Sequence, residues 1–195
     1  MDSISRRTAI AAALLACWPH ARAIVVEGRD FAERIALAGS DLQLNGVGLR
    51  AVAWLKGYVA ALYLTRKATT AADVARVNGP KRLRLYILEE ATTDHFTRSF
   101  NNGIRRNSTP EELARLAERM AQFSRTIDQI GKVKKGDTID LDFIPGAGLR
   151  FTINGVEHGK PVPGEDLYAA LLRIFIGTKP VDAEMKIGLL GGPIG

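Results

Sequence analysis

The spacing of apolar and polar positions changes period several times along the chain, and each change marks an element. From Glu33 to Leu64 the apolar residues come in strand-length runs. These are Glu33–Ala38, Leu42–Val52 and Leu55–Leu64, broken at Gly39–Ser40 and kinked around Ala53–Trp54. A short helix is predicted over Thr69–Gly79, stopped by its glycine and by Pro80. Arg82–Glu90 then alternates, with Leu83, Leu85 and Ile87 on one face and Arg82, Arg84 and Tyr86 on the other.

The period lengthens after Glu90. Thr93 is placed to cap a helix that carries Phe96 and Phe100 on one stripe and stops at Gly103. Thr109-Pro110-Glu111-Glu112 has the form of a capping box with proline at the first helical position. Behind it Leu113, Leu116, Met120, Phe123, Ile127 and Ile130 recur at spacings of three and four up to Gly131. One apolar stripe with a polar opposite face predicts a helix lying on a layer, not inside one.

Asp137–Phe143 alternates again, with Ile139, Leu141 and Phe143 inward, and Leu149–Ile153 repeats the pattern after a Pro-Gly turn. Asn154-Gly155 is a strong hairpin signal, so these segments and Val156–Lys160 form an antiparallel meander. A helix over Pro163–Gly177 and a short one capped by Asp182 follow, and the glycine-rich tail Gly188–Gly195 reads as a frayed end. The order βββ-α-β-αα-βββ-αα gives one α+β domain, with helices laid on an antiparallel sheet.

The N-terminus is set apart from this domain. Met1–Arg7 is short and positive, Thr8–Trp18 is apolar but too short to span a bilayer, and Ala21-Arg22-Ala23 is a small-x-small cleavage signal. A cleaved export signal over residues 1–23 is therefore expected, with a single domain over 24–195 that starts at Ile24 in the periplasm. Ser5–Ile10 resembles a twin-arginine signal. Leu14–Cys17 resembles a lipobox, and lipidation at Cys17 is the alternative that would tether the protein to a membrane.

Cys17 is the sole cysteine, so removal of the leader leaves no disulfide, thiol nucleophile or cysteine metal site. The formal charge of +6 falls when three leader arginines and one aspartate are lost, leaving a mildly basic domain with interspersed signs. Arg105–Arg106 and Lys132–Lys135 are its local basic clusters. An aromatic-interleaved basic face is lacking, which argues against nucleic acid as a partner. His95 and His158 have no partners at metal-ligand spacing, and no phosphate-cradling glycine loop opens onto a helix.

Two cations interrupt the apolar segment Gly46–Leu64: Arg50 and Lys56. Along an unbulged strand Arg50, Trp54, Lys56 and Tyr58 share one face, and Val59, Ala61 and Tyr63 the other. An arginine on an apolar, helix-covered face requires an anion. That anion is either a ligand or an internal carboxylate from Glu89, Glu90 or Glu165, and both remain open.

The segments Leu44–Leu64, Gly79–Leu88, Gly136–Gly155 and Pro163–Lys186 resemble, in order, those of the bacterial chalcone isomerase-like proteins, exported relatives of plant chalcone isomerase. The resemblance implies an open-faced β-sandwich, a large antiparallel sheet covered by a layer of helices, with a ligand cleft between them. In the plant enzymes a strand arginine in a G-x-G-x-R setting meets the nascent phenolate. A threonine and a tyrosine position water at the ketone, and an asparagine with a serine or threonine holds the far ring.

Arg50 in Gly46-Val47-Gly48-Leu49-Arg50 matches that arginine. Tyr58 stands at the threonine position, Phe96 near the tyrosine, Gly103 or Asn102 at the asparagine, and Ile174 at the serine or threonine. These departures remove hydroxyls that chalcone cyclisation needs. The resemblance therefore implies a non-catalytic binder of a small apolar or amphipathic anion, as in the fold's fatty-acid-binding relatives. Its expected ligand-contacting residues are Arg50, Trp54, Lys56, Tyr58, Phe96, Phe100, Asn102 and Ile174. Two alternatives stay open: haem held by His95, and an isomerase or intramolecular lyase using Arg50 and Tyr58 on a phenolic or enone substrate. No metal or other cofactor is expected.

Overall fold

The computed structural model describes residues 23–52 and 55–194, the side chains of 52, 55 and 56 excepted. Trp54 and the Lys56 side chain, both expected at the ligand, lie outside the described residues. In chain order the strands and helices are β1 (Ala23–Val26), β2 (Arg29–Ala32), β3 (Arg34–Leu37), β4 (Ser40–Val52), β5 (Leu55–Leu64), α1 (Ala71–Ala75) and β6 (Lys81–Ile87). Then come β7 (Ala91–Thr92), α2 (Thr93–Arg106), α3 (Pro110–Asp128), β8 (Lys132–Val133), β9 (Thr138–Ile144), β10 (Gly148–Ile153), β11 (Val156–Glu157), α4 (Glu165–Ile176) and α5 (Ala183–Leu189).

Seven strands pair antiparallel in the order β11-β10-β9-β6-β5-β4-β3. Asn154 (φ 52°) and Gly155 (φ 79°) turn β10 into β11 through the left-handed region that a tight hairpin requires. The inner face carries Leu83, Leu85, Ile139, Leu141 and Phe143 into one core with α2, α3 and α4. α3 presents the single stripe its sequence predicts, burying Leu116, Met120, Phe123 and Ile127. α4 buries most of its circumference and is the central helix of the layer.

The outer face divides into two halves. On one, Val59, Ala61, Tyr63 and Tyr86 are covered by Val26 and Phe31 of the β1–β2 hairpin, and the Arg29 guanidinium lies 4.4 Å from the Tyr86 ring centroid. On the other, a ladder of charge crosses three strands. Arg82 donates to Asp142 through Nε and Nη2 at 2.6 and 2.7 Å. Arg84 makes the same fork with Asp140 at 2.7 and 2.8 Å, and Arg150 adds a bond to Asp142 at 2.9 Å. Register accounts for the matching, since Arg82 stands opposite Asp142 and Arg84 opposite Asp140. These are the planar bidentate pairs that make arginine a strong carboxylate partner.

Several sequence expectations need correction. Thr92, not Thr93, precedes α2, and the Thr93 hydroxyl donates to the Gly131 carbonyl at 3.0 Å. α2 runs through Gly103 to Arg106, because Gly103 is an interhelical contact and not a stop. A Cβ there would stand 2.7 Å from Ile174 Cγ2 on α4. Thr109 does cap α3, accepting from Glu112 N–H at 3.3 Å, but the Glu112 carboxylate turns to Arg173 at 2.6 Å instead of closing a box.

The β1–β2 hairpin was not expected at all, its residues being mostly exposed and without clear alternation. The tail is not frayed where it matters. Leu189 is buried, and the buried Asn45 side chain donates to its carbonyl at 2.8 Å. α5 approaches β4 so closely that a Cβ on Gly46 would overlap the Gly188 carbonyl, and one on Gly48 the Met185 carbonyl.

Candidate functional site

A cavity of about 470 Å³ opens between the inner face of the sheet and helices α2, α3 and α4. Its interior is apolar because strand alternation and helix stripes converge on it. Leu85, Ile139, Leu141 and Phe151 enter from the sheet, Phe100 from α2, Phe123 and Ile127 from α3, and Leu171, Ile174 and Phe175 from α4. Phe100 meets Phe123 edge-on at 5.0 Å between centroids, and Phe123 meets Phe151 at 5.6 Å. Such edge-to-face contacts fix the rings in place.

Arg50 and Tyr58 supply polar groups to the wall, side by side on β4 and β5. A register shift places Arg50 opposite Tyr58 but Ala51 opposite Lys56. The unbroken strand parity expected between Arg50 and Tyr58 is therefore interrupted by a backbone bulge at Gly57. Arg50 Nη1 donates to the Ala51 carbonyl at 2.7 Å and meets Asp182 Oδ2 at 3.4 Å. The side chains are 24% and 16% exposed respectively. Burial pushes the Tyr58 hydroxyl well above its ordinary pKa; Arg50 pulls it back, and Asp182 pushes it further up. Tyr58 thus stays protonated near neutral pH and is an O–H donor beside a cation.

The internal partner of Arg50 is Asp182, not Glu89, Glu90 or Glu165. Glu165 faces Lys81 at 3.4 Å. Glu89 and Glu90 lie exposed at the cavity rim, facing Lys135 at 3.6 Å and Lys132 at 3.0 Å. His95 and Ser99 are also exposed lining residues.

Of the expected ligand residues, the fold brings together Arg50, Tyr58, Phe96, Phe100 and Ile174, with His95 at the rim. Asn102 is exposed on α2 and does not line the cavity, because the helix turns it outward and gives Gly103 to the α4 contact. Asp182 was legible as a helix cap, and it does accept from Met185 N–H at 3.0 Å through Oδ1. Its second role, at Arg50, has no signal in the sequence.

No group of three or more histidine, cysteine or acidic side chains able to hold a metal occurs among the described residues. No helix among them is long and apolar enough to cross a membrane.

Comparison with known proteins adds three findings. A family model described as chalcone isomerase-like matches residues 23–191. Curated protein sequences gave no match. Among solved structures, a fatty-acid binding protein of Arabidopsis thaliana superposes with a TM-score of 0.64 at 20% identity, covering 87% of this chain and 96% of that one.

Proposed function

The chain belongs to the chalcone isomerase-like family, and from that premise we propose that it binds, without transforming it, a small apolar molecule with an anionic head group of the fatty-acid class. One observation carries this reading: an apolar cavity whose wall sets a guanidinium, Arg50, beside a protonated phenol, Tyr58. A carboxylate at that point accepts a charge-assisted bond from Arg50 and an O–H bond from Tyr58. The volume falls within the usual range of small-molecule pockets, roughly 300–1,000 Å³. Burying ten methylenes contributes roughly 8 kcal/mol before the cost of association is counted, so micromolar binding also needs the head-group bonds to Arg50 and Tyr58. The structural neighbour, by its name a fatty-acid binding protein, supports the same ligand class.

Catalysis is not favoured. Phe96 and Ile174 stand in the wall where hydroxyls would be needed to orient a ketone and a ring. Haem is not favoured either. His95 is the one lining histidine among the described residues and is exposed at the rim, while the interior is phenyl and aliphatic.

Delipidated protein titrated calorimetrically with dodecanoate is expected to show one saturable site of micromolar affinity. Absence of heat and of a bound species in native mass spectrometry would sink the reading. A saturable, Arg50-dependent acceleration of chalcone cyclisation would reassign the protein to the isomerases, and a Soret band shifted by His95→Ala would reassign it to haem.

Export completes the proposal. The leader features over residues 1–23 support a periplasmic protein beginning at Ile24, just inside β1, where Ile24 pairs with Phe31. Amino-terminal sequencing of exported protein should read Ile24 first. An acylated Cys17 would move the protein to a membrane surface.

A further inference from the structure

The head-group corner of the cavity sets a cation, Arg50, beside a neutral phenol, Tyr58, and a carboxylate, Asp182, backs the cation from outside the lining. Asp182 binds the helix α5 backbone through Oδ1 and faces Arg50 Nη1 through Oδ2. It cannot withdraw easily, because α5 is seated on β4 where glycines at 46, 48 and 188 let the two backbones touch. Val181, its immediate neighbour, lines the cavity.

We propose that Asp182 is the specificity-determining residue of this site: a built-in anion that competes with a ligand carboxylate for Arg50 and sets how strongly acids are preferred over neutral head groups. This rests on the cavity being a ligand site, as proposed above. The Asp182 carboxylate partly offsets the charge of Arg50, so an entering ligand carboxylate meets a guanidinium already partly neutralised. A hydroxyl head group feels no such penalty, since it can accept from Arg50 and Tyr58 and carries little charge for Asp182 to repel. Asp182 thereby holds carboxylate affinity down and keeps neutral amphiphiles as real competitors.

Asp182→Asn separates this role from scaffolding, because asparagine is as good an N-cap as aspartate and removes the charge alone. Wild type and variant are titrated with dodecanoate and with dodecanol. Dodecanoate is expected to bind the variant roughly tenfold more tightly or better, the size expected when a like charge is removed from one guanidinium away in a half-buried site. Dodecanol affinity is expected to change by no more than about twofold, a hydroxyl having little charge to repel.

Unchanged or weakened dodecanoate binding overturns the proposal, and so does an equal change for both ligands, which would mean the cavity itself has altered. Asp182→Ser, also a good cap without charge, gives the same reading should the asparagine variant fold poorly. Wild type that binds dodecanoate while neither variant gains sinks this inference alone. Failure of every protein to bind either probe sinks the ligand-site reading with it.

Discussion

Asp142→Ala is expected to destabilise the protein by about 3–5 kcal/mol, the usual cost of removing one partner from a buried ion pair. Asp142 is fully buried on the outer face of the sheet, accepting two bonds from Arg82 and one from Arg150. Its loss leaves two guanidinium groups on β6 and β10 without that carboxylate, and Asp140, already forked to Arg84, cannot serve them all. Urea denaturation measures the effect. Arg76→Ala, which breaks an exposed pair with Asp73, is the control and should change stability by less than about 0.5 kcal/mol. Equal small losses in both proteins would show that the ladder is well solvated and adds little.

Arg50→Ala is expected to weaken dodecanoate binding by roughly 2–5 kcal/mol, the range for truncating one side of a buried, hydrogen-bonded charge pair. The ligand-free protein should lose less than about 1 kcal/mol, because the Arg50–Asp182 contact is long and both side chains retain some exposure. Arg50→Lys should fall between, since an ammonium keeps the charge without the planar fork. Thermal melts of the three proteins with and without dodecanoate separate the outcomes. A large loss in the ligand-free state with unchanged affinity would make Arg50 a scaffold residue paired to Asp182, and the anchoring role would be wrong.

What could be read from the sequence was whatever is written in local periodicity. The alternation of Leu83, Leu85 and Ile87, and of Ile139, Leu141 and Phe143, placed the inner face correctly, and the three-four spacing in α3 placed its stripe. The phenylalanines of the cavity were also within reach, since helical spacing put Phe96 and Phe100 on one side of α2. What escaped depends on residues far apart in the chain. Arg82 and Arg84 were visibly turned outward, but burial of their partners Asp140 and Asp142 requires the β6–β9 register. Gly103 looked like a helix stop because glycine commonly is one; only the packing of α4 shows that its missing Cβ makes room for Ile174. The bulge at Gly57 broke a parity that an ideal strand would have kept.

The seating of α5 on β4 also orders events in time. Arg50 and Asp182 are separated by 132 positions, so the corner that would receive a head group is joined by contacts spanning most of the domain. Contacts of such separation require closure of a long loop and favour slow folding. On a growing chain, Arg50 and Tyr58 emerge well before Asp182, so the carboxylate that faces Arg50 is among the last parts of the corner to be made. The head-group corner is therefore complete only when the C-terminal helix docks, which ties the last step of folding to the finishing of the site.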